Sequence, residues 1–286
     1  MTAPVLALAT AETAATGSGT DPAPDGRWEP APGTTVRGTV VLLPGRGEHP
    51  GVYARFGRRL AADGYRLLVP AHAVPFADPL RTSPADGSAG STGIAGSPVV
   101  LFARARAEQD DGGPVVLAGS DLGALLALAL AAEVRPDGLL LAGLPGGDGP
   151  VRTADELSAR TACPVHRGLL AGDPGFRPGA LFEPVPAALA GAAAAARPAV
   201  PVLAFHGLAD EVAPVGALRE LAGRLPSVEA VAVADGRHDA FNDAAHRSVA
   251  ARTVLWLERL RAGLDRLPSP STSPPPPLLV PLDLHG

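Results

Sequence analysis

"VVLAGSDLGALLALALAAE", residues 115–133, decides the fold. An apolar run ends in Gly119-Ser120-Asp121-Leu122-Gly123, and a second apolar stretch follows at once. The pattern reads as a strand, a sharp turn and a buried helix. Such a turn forces its central residue into a strained backbone, and the residues two before and two after it approach so closely that only small ones fit. With Asp121 at the centre those neighbours are Gly119 and Gly123. With Ser120 at the centre they become Ala118 and Leu122, and a leucine would stand where crowding is worst. The spacing therefore puts a carboxylic acid at the apex.

Similar short apolar runs flank this one. "TVVLLPG" (39–45), "YRLLVP" (65–70), "GLLLAGL" (138–144), "PVLAFHG" (201–207) and "VEAVAVAD" (228–235) lack the alternation of half-exposed strands. Runs of this kind predict strands buried on both faces, hence a mostly parallel sheet. Helical stretches separate them. Val52, Phe56 and Leu60 mark one apolar face, and Val249, Thr253, Trp256 and Leu260 another. Ser97-Pro98 offers an N-cap and a first-turn proline for a helix reaching about Gln109. Strands and helices alternating in this way predict an α/β fold, with helices covering both faces of the sheet.

Residues 145–200 hold no convincing strand and are too long for an ordinary connection, so a short helical cap is expected there. Residues 1–30 read as a loose arm or an edge strand. The proline-rich stretch from Pro268, "PSPSTSPPPPLLVPLDLHG", reads as a disordered tail. The main domain is thus expected over 31–267.

Composition narrows the function. The chain has 286 residues, 46% of them hydrophobic, and a net charge of −5. That size suits one sizeable core, and that charge gives no basic field for nucleic acid. All 24 basic residues other than histidine are arginines. Cys163 stands alone, which excludes an internal disulfide and a cysteine-based metal site; it reads as a small buried hydrophobe. No metal or cofactor is expected. No apolar window reaches the length of a membrane span, and the first residues lack a signal-peptide pattern. The expectation is a cytoplasmic protein acting on a small molecule, of unspecified oligomeric state.

Two further residues complete a constellation. "PVLAFHGLADEVAP" places Asp210 in a loop just after a strand, and "VAVADGRHDAFND" places His238 between the last strand and the last helix. Both positions lie beyond carboxyl ends of strands, where sites of parallel sheets collect. The chain order is elbow residue, acid, histidine.

On these residues the chain resembles the α/β-hydrolase superfamily over roughly residues 36–262. The stretch "GTVVLLPGRGEHPGVYARFGRRLAADGYRLLVP" is similar to the opening of its monoacylglycerol-lipase and serine-aminopeptidase-like branch. The resemblance implies an α/β-hydrolase fold, a triad of Asp121, Asp210 and His238, and an oxyanion hole from the backbone N–H groups of Arg46 and Leu122. The chain departs from that branch twice: Pro44 stands for a histidine and Asp121 for the nucleophilic serine.

The second departure changes the chemistry. An aspartate is already an anion, so His238 would lie between two carboxylates, each raising its pKa by ~1–3 pH units. A protonated imidazole is no base, which excludes ordinary serine-esterase chemistry at residue 121. A two-step route survives: Asp121 attacks a saturated carbon and becomes a neutral ester, whereupon His238 can activate water with Asp210 orienting it. The resembling dehalogenase and epoxide-hydrolase branches use an elbow aspartate in this way. Their tryptophan after the aspartate is Leu122 here, and the only tyrosines, Tyr53 and Tyr65, lie outside the cap. Arg46, His166 or Arg167 could supply a positive group, against a plainer reading as solvated surface cations or capping residues.

Three functions therefore stay open. The first is a hydrolase of a small apolar substrate using Asp121. The second is an ester hydrolase arranged differently, with Ser120 recruited or His238 activating water directly. The third is a non-catalytic member keeping the fold for binding. His206 reads as a structural strand-end histidine, and His49 as lying at the site's rim. Asp235, Asp239 and Asp243 read as a solvated helix start.

Overall fold

The computed structural model describes residues 26–70, 97–109, 112–146 and 155–264. The proline-rich tail, His72 and His285 lie outside them, as do residues 1–25 of the arm and 147–154 of the expected cap.

One seven-stranded sheet organises these residues, in the order β1-β3-β2-β4-β5-β6-β7. Its strands are β1 (Arg27–Trp28), β2 (Gly38–Leu43), β3 (Tyr65–Leu68), β4 (Val115–Ser120), β5 (Gly138–Ala142), β6 (Val202–Gly207) and β7 (Val228–Val233). All neighbours run parallel except β1, which pairs antiparallel with β3. Strands β2 to β6 are buried along their whole length, as continuous apolar runs demand.

Alternate strand residues feed two cores. Val40, Leu42, Val116, Ala118, Leu140 and Phe205 pack under α1 (Ala54–Ala62) and α8 (His246–Arg261). Val41, Leu43, Val115, Leu117, Leu139 and Ala204 pack under α2 (Pro98–Ala107), α3 (Leu122–Val134) and α7 (Gly216–Arg224). Helix α3 is apolar all round because it lies deep in this second core. The predicted stripes are correct: Val52, Phe56, Leu60, Val249, Thr253, Trp256 and Leu260 are all buried.

Between β5 and β6 the described residues form α4 (Glu156–Arg160), α5 (Pro164–Gly172), a 3-10 turn at Ala180–Phe182 and α6 (Ala187–Ala195). Leu189 and Ala193 of α6 join the core of α3. No helix of the described residues is long and apolar enough to cross a membrane.

The sheet begins at Arg27, in the segment read as a loose arm or an edge strand: β1 is an edge strand and buries Trp28. Two local expectations need correction. Strand β7 is an edge strand, exposed at Ala230 and Ala232, with only Val233 fully buried. Small alanines gave it an apolar look without a covered face. Ser97 precedes α2, but its side chain makes no capping bond.

The topology fixes where a site can form. From β2 the chain passes outward to β3, then crosses back to β4 on the other side of β2. The carboxyl ends of β2 and β4 therefore face one crevice, at the point where the strand order reverses. The residues following those ends are Pro44-Gly45-Arg46 and Asp121.

Candidate active site

Asp121 sits at the bend between β4 and α3 with φ 50° and ψ −122°, a conformation an L-residue rarely adopts. Two glycines make the bend sterically possible. A Cβ on Gly119 would collide with the Gly123 carbonyl oxygen, and one on Gly123 with the Leu43 carbonyl oxygen at the end of β2. The register read from sequence is the register observed. Ser120 remains inside β4, paired with Ala142, and Leu122 opens α3 with its side chain in the core.

Asp210 and His238 converge on this apex. After β6, Asp210 turns its Oδ1 to accept the N–H groups of Val212 (2.9 Å) and Ala213 (3.0 Å). Its Oδ2 lies 2.8 Å from His238 Nδ1. His238 Nε2 points the other way and stands 3.2 Å from Asp121 Oδ1, without hydrogen-bond alignment, so this contact is a Coulombic one. Gly143 (φ 55°), just past β5, leaves room for the His238 backbone and ring; any Cβ there would strike the His238 carbonyl oxygen. All three side chains are about 1% exposed or less.

Burial alone would strip the charge from His238, but Asp210 and Asp121 outweigh it and push its pKa up to about 10. The ring is an imidazolium at neutral pH. Burial likewise opposes charge on Asp121; the Arg46 guanidinium and then His238 overcome it and hold the carboxyl far below the usual carboxylate range. Asp210 is also lowered, against its burial, by His238.

Arg46 was anticipated through its backbone N–H and as one of three candidate positive groups, and the structure brings both its backbone and its side chain to Asp121. The Arg46 N–H donates to Asp121 Oδ2 at 2.9 Å. Its Nε donates to the same oxygen at 2.8 Å, and its Nη2 to Oδ1 at 2.6 Å. Nη1 donates to the carbonyl of Glu183, in the segment between β5 and β6. The guanidinium thus forks the apical carboxylate inside the protein, at 1% exposure, and is no solvated cation.

A second buried network supports the first. Arg160, the last residue of α4, donates to the Arg46 carbonyl (2.5 Å), to Glu48 Oε1 (2.9 Å) and to Glu156. Glu48 Oε2 accepts the Gly45 N–H at 2.9 Å and the Tyr53 hydroxyl. Burial, reinforced by Asp239, raises Glu48. Sequence reasoning missed Arg160, Glu48 and Tyr53 as parts of this site. Arg160 and Glu48 lie far apart along the chain, and neither local sequence signals the other as a partner.

The remaining candidates separate. His166 is buried on α5 and pairs with Asp239 at 3.1 Å, so its reading as a surface cation fails. Arg167 is half-buried and reaches Ser158. Asp239 and Asp243 are buried too: Asp243 accepts from Thr161, Ala162, Arg237 and Ala244, tying α4 to the loop before α8. Only Asp235 is exposed. His206 is structural, bonded to the Ala213 carbonyl and 3.3 Å from Asp210. His49 pairs with Asp173 at 2.6 Å and accepts the Gly51 N–H. Among the described residues no cluster of three His, Cys, Asp or Glu could hold a metal.

No protein-family model matches the chain, and no curated protein matches its sequence. Solved structures do match. A soluble variant of monoglyceride lipase from Saccharomyces cerevisiae, in complex with a substrate analog, aligns with a TM-score of 0.61 at 17% identity, over 82% of this chain and 90% of that one. Paleococcus ferrophilus monoacylglycerol lipase aligns at 0.59 and 20% identity, over 82% and 97%. A thermophilic esterase from Thermogutta terrifontis aligns at 0.50 and 18%, over 82% and 92%. At such identities the likeness is one of fold: the chain has the α/β-hydrolase fold.

Proposed function

We propose that this chain is a hydrolase of a small apolar substrate, with the Asp121 carboxylate as nucleophile, His238 activating water and Asp210 orienting the ring. The observation that carries the proposal is the placement of His238 between two carboxylates, 2.8 Å from Asp210 and 3.2 Å from Asp121. With a hydroxyl at the apex the imidazole would be a base at rest. With a carboxylate there it is an acid at rest and becomes a base only once that carboxylate is neutralised.

One oxygen of Asp121 attacks a saturated carbon, the new C–O bond forms, and the bond to the leaving group breaks with its electron pair. Asp121 is then a neutral ester, the imidazolium loses the charge that held its proton, and the proton leaves for solvent with the leaving group. Neutral His238 next takes a proton from water as the hydroxide adds to the ester carbonyl. The backbone N–H of Arg46, 2.9 Å from Asp121 Oδ2 in the resting protein, and that of Leu122 would stabilise the oxyanion formed there. Collapse releases the alcohol and restores the carboxylate and the imidazolium. An ester substrate handled by His238 alone is the weaker choice, because the resting ring carries a proton; Ser120, one residue short of the bend, is no better placed.

A second function is favoured by one specific observation. Arg46 forks both oxygens of Asp121, and all these groups are buried, which suits a chain that keeps the fold for binding alone. Mass spectrometry on His238→Asn after exposure to short haloalkanes and epoxides separates the two. An adduct accumulating on Asp121 supports the hydrolase; no adduct and no wild-type turnover across the panel refutes it.

A further inference from the structure

We propose that Arg46 is a catalytic residue that takes the leaving group as a compact anion, so that the substrates are those whose leaving atom departs with a negative charge. This rests on the covalent role of Asp121 and extends it to the other half of the displaced bond.

Charge counting leads there. At rest the core of the site holds Asp121 and Asp210 as anions, and Arg46 and His238 as cations, a balanced set. Ester formation removes the charge of Asp121. The Arg46 guanidinium, buried to 1% exposure, would then face a neutral ester where its Nε and Nη2 groups had met an anion. A buried guanidinium without a counter-charge is strongly disfavoured.

It cannot readily swing to water either. Nη1 is tied to the Glu183 carbonyl, and the residue's own carbonyl is held by Arg160 at 2.5 Å. The nearby carboxylates are committed elsewhere: Glu48 to Arg160 and Tyr53, and Glu183 to Arg177. An anion released beside Asp121 restores the balance, because Arg46, His238, Asp210 and that anion again sum to zero. Once the anion and the proton of His238 depart, Arg46 and Asp210 still balance. Neutrality therefore holds at each stage when the group departs as an anion.

Among the described residues no tyrosine, tryptophan or lysine offers itself instead. The Tyr53 hydroxyl serves Glu48, and the Tyr65 hydroxyl serves Glu258 at 2.6 Å. Trp28 is packed on Gly57, and Trp256 lies on α8 against β5. The chain has no lysine. Two adjacent N–H groups of one guanidinium, Nε and Nη2, fit a halide or a single oxyanion.

Asp121→Asn mimics the neutral ester and tests the anion site without turnover; Asp121→Ala serves if that variant fails to fold. Thermal unfolding is followed with bromide at constant ionic strength against sulfate, with acetate in a parallel arm. Bromide at about ten times its dissociation constant is expected to raise Tm by about 3–6 °C. Wild type should not respond, because Asp121 already fills the fork, and Arg46→Met added to Asp121→Asn should abolish the shift. No bromide response in either folded variant, a response equal to that of wild type, or one that survives Arg46→Met overturns the proposal. Acetate acting without bromide would assign the guanidinium to a substrate carboxylate and also overturns it. A bromide shift in a protein that forms no Asp121 adduct leaves an anion site but refutes the covalent role. An adduct without the shift refutes Arg46 alone.

Discussion

Raising the pH should unfold this protein through one buried group. His238 has its pKa raised from 6.5 to about 10 in the folded chain, against its burial, by Asp210 and then Asp121. A group raised on folding contributes its full stabilisation below the unfolded pKa and loses it as pH climbs through the folded one. The window here runs from about 6.5 to about 10. At 1.36 kcal/mol for each pH unit between the two values, the imidazolium contributes of the order of 5 kcal/mol at its full extent. Urea denaturation at closely spaced pH values measures it. Stability should fall by up to about 1.4 kcal/mol per pH unit across that window. In His238→Gln that fall should disappear. Cys163, lowered by Arg55 against its burial, acts with the opposite sign and is common to both proteins, so the difference isolates the histidine. A flat profile in the wild type, or the same slope in both, would refute the placement of a charged ring between two carboxylates.

Gly123→Ala should cost at least about 2–3 kcal/mol or prevent soluble expression, since the added methyl meets the Leu43 carbonyl; chemical denaturation decides. Arg46→Met should cost about 3–5 kcal/mol by leaving a buried carboxylate short of its partner, and adding Asp121→Asn should recover at least about 1 kcal/mol of that. Simple additivity of the two losses in denaturant titrations would contradict the buried pair. Asp121→Ser removes one of the two carboxylates beside His238 and should bring out release of p-nitrophenol from p-nitrophenyl acetate. A folded variant with no release above background would show that Asp210 and His238 do not form a working pair.

Much of this was legible because it is local. Gly119 and Gly123 state the bend, and the bend states which residue is its apex. The strands β2 to β6 announce themselves as unbroken apolar runs, because both faces are covered. Asp210 and His238 were found by their places after β6 and β7. What the chain hides is long-range pairing of charge. Nothing near Arg46 indicates that its side chain turns inward to a carboxylate supplied by the next strand, or that Glu183 and Arg160 pin it from the segment between β5 and β6. His166, Asp239 and Asp243 looked like surface groups for the same reason: each is satisfied by a partner that sequence proximity does not reveal. The two-residue β1 is too short to show a period, and alanine-rich β7 looked more deeply buried than it is.

The covalent role of Asp121 is tested most directly by a single turnover, enzyme in excess over a short bromoalkane, in water enriched in heavy oxygen. The account predicts that the first alcohol released carries an ordinary oxygen taken from Asp121, and that the peptide containing Asp121 becomes labelled. Heavy oxygen in that first alcohol, with Asp121 unlabelled, would contradict it.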